Sequence, residues 1–241
     1  MTQTAEQSVI AACWACGTEN PPGAHICASC GKLLASDSRD YFDFFGLPHR
    51  LTLDIAALEK QFYRLSRKLH PDLFAQASKQ EQQWSLEKSS ILNDAYRTLR
   101  DPIARTEYLL ETQGIRLEEQ SRDATDAARA AGTAKQQVVP PDMLEEVFGL
   151  NMQLEEARMA AASNMQDPQL IADLEAAEKN FTAQMDALQQ QLESLWAAWD
   201  TALINNDTAA KDDAKQKMVA LLNRRSYIRN LVRDVQQALG R

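Results

Sequence analysis

The feature that most restricts this chain is its long stretches of apolar residues at helical spacing, with almost nothing to interrupt them. Asp167-Pro168 opens one such stretch, in which Leu174, Phe181, Leu188, Leu192, Leu195 and Trp199 keep a near-heptad period until Asn206-Asp207 breaks it. A further stretch carries Met218, Leu221, Leu222, Ile228, Leu231, Val235 and Leu239. Pro140-Pro141-Asp142 opens the segment before them, so three long helices with short turns are expected to form an antiparallel bundle over residues 140–241. Only 8 glycines and 8 prolines punctuate the 241 residues, and strands are expected nowhere outside a short cysteine-rich segment. The expected fold class is mainly α. A formal charge of −8 and a pI near 5.0 make non-specific nucleic-acid binding a poor default. No apolar run approaches the roughly 18 residues of a membrane span. Met1 to Ala12 carry neither Lys nor Arg, so no signal or transit peptide is evident and bacterial cytoplasm is the expected compartment; a processed mitochondrial-matrix form would look similar.

All four cysteines fall between residues 13 and 30, as C-x2-C, ten residues, then C-x2-C: Cys13, Cys16, Cys27 and Cys30. Two such turns facing each other present four thiolates to a tetrahedral ion, and Zn2+ accepts that geometry without redox chemistry. Four sulfur ligands leave no open position, so the expected role is structural, and the unit spans about residues 10–35. Gly17, Pro21, Pro22, Gly23 and Gly31 allow the tight turns. His25 is a conceivable but unneeded ligand. Paired disulfides or a redox C-x-x-C are the rival readings, disfavoured by the missing signal peptide and the missing βαβ context. The unit reads as a self-standing module whose metal loss leaves the helices intact.

After a spacer from Ala35 to Arg39, Tyr41-Phe42-Asp43-Phe44-Phe45-Gly46-Leu47-Pro48 predicts a short apolar helix stopped by Gly and Pro. Asp54 caps a second helix with a buried stripe of Ile55, Leu58, Phe62, Leu65 and Leu69. Its opposite face is basic, with Lys60, Arg64, Arg67 and Lys68. His70-Pro71-Asp72 ends that helix, because Pro71 has no N–H to donate and disfavours helical geometry at His70. A third helix runs through Trp84, Ile91, Leu92, Ala95 and Leu99, and Asp101-Pro102 starts a short fourth ending near Leu110. Residues 111–139 lose the apolar pattern and read as a linker.

No catalytic constellation is present: there is no phosphate-cradling glycine loop, no H-E-x-x-H, and the cysteines are committed to metal. The chain reads as a binding protein rather than an enzyme. A His-Pro-Asp tripeptide closing a basic amphipathic helix, followed by a helix with Ile91-Leu92-Asn93-Asp94-Ala95-Tyr96-Arg97-Thr98-Leu99 and then Asp101-Pro102, resembles the J domain over residues 40–110. The resemblance implies an antiparallel helical hairpin with short flanking helices. It also implies engagement of a DnaK-type (HscA-type) chaperone ATPase through His70, Pro71 and Asp72, with Arg64, Arg67 and Lys68 as the docking stripe. Leu73 stands where many J domains have Lys. The flanks at Tyr41–Pro48 and Arg105-Thr106-Glu107-Tyr108-Leu109-Leu110 are similar to those of HscB-type iron–sulfur co-chaperones, which add a three-helix bundle and lack a Gly/Phe-rich segment. The tetracysteine unit resembles an extra N-terminal module of some members.

Between Met143 and Met159, Met143, Val147, Leu150 and Leu154 form one stripe, while Leu144, Phe148, Met152 and Met159 form a second, flanked by Glu145, Glu155 and Glu156. A bundle helix needs one buried face, so the second stripe suggests a partner, the alternative being packing on the J domain or linker. The family resemblance implies an IscU-type iron–sulfur scaffold there, through Leu144, Phe148, Met152 and Glu156. Two other readings stay open: a general J-protein with a different client, and a zinc-ribbon nucleic-acid binder with a helical oligomerisation domain.

Overall fold

The fold is that of a computed structural model, which describes residues 11–35, 39–115, 117, 140–163 and 167–241. The expected linker at 111–139 falls largely outside the described residues, as do residues 1–10 and most of the spacer before Arg39. The chain divides into two compact units, Met1–Gln113 and Gly114–Arg241.

The first unit begins with the cysteine knuckle. Strand β1 (Ala11–Ala12) pairs antiparallel with β2 (Glu19–Asn20), and Ile26 bridges Leu33. Its two halves repeat one turn, Cys-x-x-Cys-Gly. Gly17 N–H donates to Cys13 O (2.8 Å) and Gly31 N–H to Cys27 O (3.0 Å), with φ of 74° and 71° at the two glycines. Only glycine takes that left-handed conformation without strain.

Helix α1 (Tyr41–Phe45) is capped by Asp40, whose carboxylate accepts from the N–H groups of Phe42 and Asp43, and it stops at Gly46 with φ 61°. Asp54 caps α2 (Ile55–Leu69) through Ala57 N–H, and Pro71–Phe74 form a 3-10 turn. Helix α3 (Lys79–Arg100) starts in a full capping box between Ser78 and Glu81, and Asp101 caps α4 (Pro102–Thr112). Helices α2 and α3 are antiparallel, since Phe62 stacks on Tyr96 (4.2 Å) at one level and Leu69 meets Ser85 and Ser89 at another. Leu58, Leu65 and Leu69 are buried opposite Leu92, Ala95 and Leu99. Ile55 departs from the expected stripe at 41% exposed, because it is the first residue of α2 and lies beyond the reach of α3. Helix α4 ties the hairpin ends together. The buried Arg105 donates to Leu51 O (3.0 Å) and to Leu99 O at the end of α3, while Tyr108 stacks on Tyr41 and accepts its N–H (2.9 Å).

The knuckle is packed against this helical body rather than standing alone. Trp14 meets Trp84 edge-to-face (6.1 Å), the Lys32 ammonium pairs with the buried Glu81 (3.1 Å), and the His25 ring lies on Phe44 (4.4 Å). His25 Nε2–H donates to Phe44 O (2.9 Å), and its Nδ1 accepts from Lys88 (3.3 Å). Its position in the fold therefore differs from that of a self-standing module: it rests on α1 and on the N-terminal half of α3.

The second unit contains a short 3-10 turn (Pro141–Met143), α5 (Leu144–Ala162), α6 (Pro168–Ile204) and α7 (Thr208–Ala238). Helix α6, at 37 residues, is about 55 Å long at 1.5 Å per residue. It turns into α7 through Asn206, at φ 53° the one non-glycine residue of positive φ among those described, and Asp207 caps the new helix. Met143, Val147, Leu150 and Leu154 are buried against Leu170, Leu174, Phe181 and Leu188 from α6 and Tyr227, Ile228, Leu231 and Val235 from α7. Burying each such side chain is worth about 1.5–3 kcal/mol, which holds α5 on the α6–α7 pair. The protein is mainly α, as expected, with an antiparallel helical hairpin flanked by short helices and a three-helix bundle.

Candidate functional sites

The four cysteines are free thiols gathered from the two repeated turns, with all four Sγ atoms within 4.8 Å of one another. Cys13 Sγ lies 3.6 Å from Cys30 Sγ, and Cys16 Sγ lies 3.7 Å from Cys27 Sγ. A tetrahedron of sulfurs around an ion at about 2.3 Å has edges of about 3.8 Å, so the donor set fits a tetrahedral metal ion. The electrostatics fit too. The backbone N–H groups of Cys30 and Ser29, with the Asn20 side chain, hold the Cys27 thiol down at about 6 against its burial. Although the Lys32 N–H donates to it, Cys30 is pushed up to about 12 by burial and by its three sulfur neighbours. A metal ion binds thiolates rather than thiols, so donors that hold Cys27 deprotonated favour it. His25 is not part of this set, since both ring nitrogens are engaged by Phe44 and Lys88. Burial and the nearby Lys88 push its ring down to about 4, so it stands neutral.

His70, Pro71 and Asp72 stand together where α2 ends. His70 is extended (φ −60°, ψ 132°), and the Asp72 N–H donates to its Nδ1 (3.2 Å). His70 and Asp72 are both exposed, and Leu73 beside them is 64% exposed. Arg64, Arg67 and Lys68 are exposed on the last turns of α2, and among the described residues none of the three forms an ion pair. Sequence reasoning missed what lies beneath the turn. Ser85 and Ser89 hydroxyls both donate to Leu69 O (2.6 and 3.1 Å), and Gln82 donates to Ala75 O and Ala77 O (3.2 and 3.0 Å). The available signal was a serine at position 85, in the buried series that runs on through Leu92, Ala95 and Leu99.

On α5 the second apolar stripe is open to solvent: Leu144 is 55% exposed, Phe148 69%, Met152 60% and Met159 67%. Glu145, Glu155 and Glu156 are exposed around it. Of the residues singled out from sequence, Leu144, Phe148, Met152 and Glu156 thus share the exposed side of one helix whose other side is core. No helix among the described residues is long and apolar enough to cross a membrane.

Comparison with known proteins follows the same division. The DnaJ domain family matches residues 40–108. The iron–sulfur cluster co-chaperone protein HscB of Mus musculus is 30% identical over 191 residues, covering 78% of this chain and 74% of the mouse protein. Its counterpart from Homo sapiens is 32% identical over 183 residues, covering 74% of this chain and 70% of the human protein. The crystal structure of human co-chaperone protein HscB superposes with a TM-score of 0.60 at 25% identity, covering 93% of this chain and 96% of that one.

Proposed function

Since the chain belongs to the HscB family of iron–sulfur cluster co-chaperones, we propose that it joins two partners without catalysing a reaction itself. Residues 40–110 act as the J domain, presenting His70, Pro71 and Asp72 to a DnaK-type chaperone and stimulating its ATPase. Arg64, Arg67 and Lys68 supply the electrostatic docking stripe: a cationic face on a chain of net charge −8 orients encounter with an acidic partner surface. The acceleration arises by coupling within the chaperone, through its differential affinity for two states, and not through proton transfer by this chain. Residues 140–241 hold an IscU-type scaffold on the α5 face through Leu144, Phe148, Met152 and Glu156. Residues 111–139 link the two parts, and delivery of the scaffold to the chaperone promotes cluster transfer. Residues 10–35 form a structural site in which Cys13, Cys16, Cys27 and Cys30 bind zinc.

The observation that carries this reading is the combination, in one chain, of an exposed His-Pro-Asp turn on a basic helix with an acid-rimmed apolar face on the bundle. Steady-state ATP hydrolysis by a DnaK-type chaperone tests it, with and without an IscU-type scaffold. Synergistic stimulation is expected. Stimulation indifferent to the scaffold assigns the bundle to another client, and none at all, with His70→Gln indistinguishable from the parent, removes the J-domain assignment.

A further inference from the structure

The stop of α2 at Pro71 creates a problem that α3 solves. In a continuing helix, Leu69 O would accept from Leu73 N–H, but that N–H donates instead to His70 O (3.0 Å). The Leu69 carbonyl is therefore left at the buried end of α2, where an unpaired acceptor is costly. Ser85, fully buried, and Ser89, half-buried, stand one helical turn apart on α3, and both donate their hydroxyls to it. One hydroxyl satisfies the carbonyl; two fix it from two directions. At the far side of the same turn, Gln82 grips Ala75 O and Ala77 O. Residues 82, 85 and 89 follow the three-and-four spacing of one helix face. The exposed His-Pro-Asp turn is thus held between two polar anchors on a single face of α3.

We propose that Gln82, Ser85 and Ser89 are positioning residues for His70, Pro71 and Asp72. They fix the height and tilt of the turn relative to the basic face of α2, so that docking and triggering occur in one approach. This deepens the J-domain reading and rests on it. Alanine at 85 and 89 would suit helix formation better than serine does, so the hydroxyls are not there for helical propensity. Their role is the carbonyl next to His70.

The test compares Ser85→Ala/Ser89→Ala with the parent protein in chaperone ATPase stimulation, thermal unfolding and amide NMR. The basic face is intact in the variant, so the concentration giving half-maximal stimulation stays within about twofold, while maximal stimulation falls about tenfold, as expected when docking is kept and the triggering contact is misplaced. The amide signal of Asp72, which reports its bond to His70 Nδ1, shifts, and the signals of α7 do not. Ser89→Thr, which keeps the hydroxyl, retains parental stimulation. Should the double variant not fold, Ser89→Ala and Gln82→Ala each loosen one anchor without removing a fully buried side chain, and they face the same measurements. Maximal stimulation within about twofold of the parent overturns the proposal. So does a loss that tracks the unfolding temperature while the Asp72 signal stays in place. If the parent protein stimulates nothing and matches His70→Gln, the J-domain reading has failed; the Asp72 signal then still decides whether the serines position the turn.

Discussion

Glu81 shows how much one side chain does in this fold. Its carboxylate completes the capping box with Ser78, pairs with Lys32 across 49 residues of sequence, and is 2% exposed. Burial alone would raise its pKa, but the Lys32 ammonium and the Ser78 donors outweigh that and hold it below the usual carboxylate value. A group with a depressed folded pKa contributes stability that is present above its unfolded value, 4.5, and is lost as pH falls through the folded one. Glu81→Gln is therefore expected to be less stable than the parent at pH 7, with the gap narrowing as pH drops below about 4.5. Urea midpoints at the two pH values check this, and a gap that is constant with pH would show that the pair does not couple to protonation. Phe148 is the opposite case, a large apolar side chain with little packing role. Phe148→Asp is expected to leave stability within about 0.5 kcal/mol while weakening scaffold binding by about 2 kcal/mol or more, read by calorimetric titration and thermal unfolding.

At the scale of elements, the knuckle and α3 are coupled. Trp14 against Trp84, Lys32 against Glu81, and His25 against Phe44 and Lys88 all fall on α1 or the N-terminal half of α3. Metal removal by a chelator is expected to unfold the knuckle and also to lower the melting temperature of the J hairpin. Losing about 1–2 kcal/mol of docking corresponds to a shift of about 4–15 °C for a domain of this size. Amide exchange should quicken around residues 81–88 and stay unchanged in α6 and α7; exchange unchanged throughout α3 would contradict the coupling. The helices themselves were legible in the sequence because their punctuation is local: Asp54, Asp101, Asp167 and Asp207 are all N-caps, and Gly46 is a left-handed stop. The two faces of α5 were equally legible, since a bundle has room for only one of them inside. What the sequence did not disclose was the docking of the knuckle. Trp14, His25 and Lys32 carry no period, and their partners lie on another element. The serines under the His-Pro-Asp turn were half-hidden: Ser85 stands in the buried series of α3, but its acceptor is a backbone atom of another helix and leaves no mark in composition.

In the whole molecule the candidate sites lie in separate compact units, Met1–Gln113 for the metal site and the His-Pro-Asp turn and Gly114–Arg241 for the α5 face. His70→Gln should abolish ATPase stimulation with or without the scaffold and leave scaffold affinity intact, whereas Phe148→Asp should weaken scaffold binding and remove only the scaffold-dependent part of the stimulation. The short turn between α6 and α7 has a temporal consequence. Asn205–Asp207 bring the two longest helices together with almost no loop to close, whereas Lys32–Glu81 and His25–Lys88 join residues 49 and 63 apart. Contacts that close short loops form before those that close long ones. The C-terminal pair therefore folds as a fast local event. The knuckle, although it precedes α3 in the chain, finds its seat only after α3 exists to receive it.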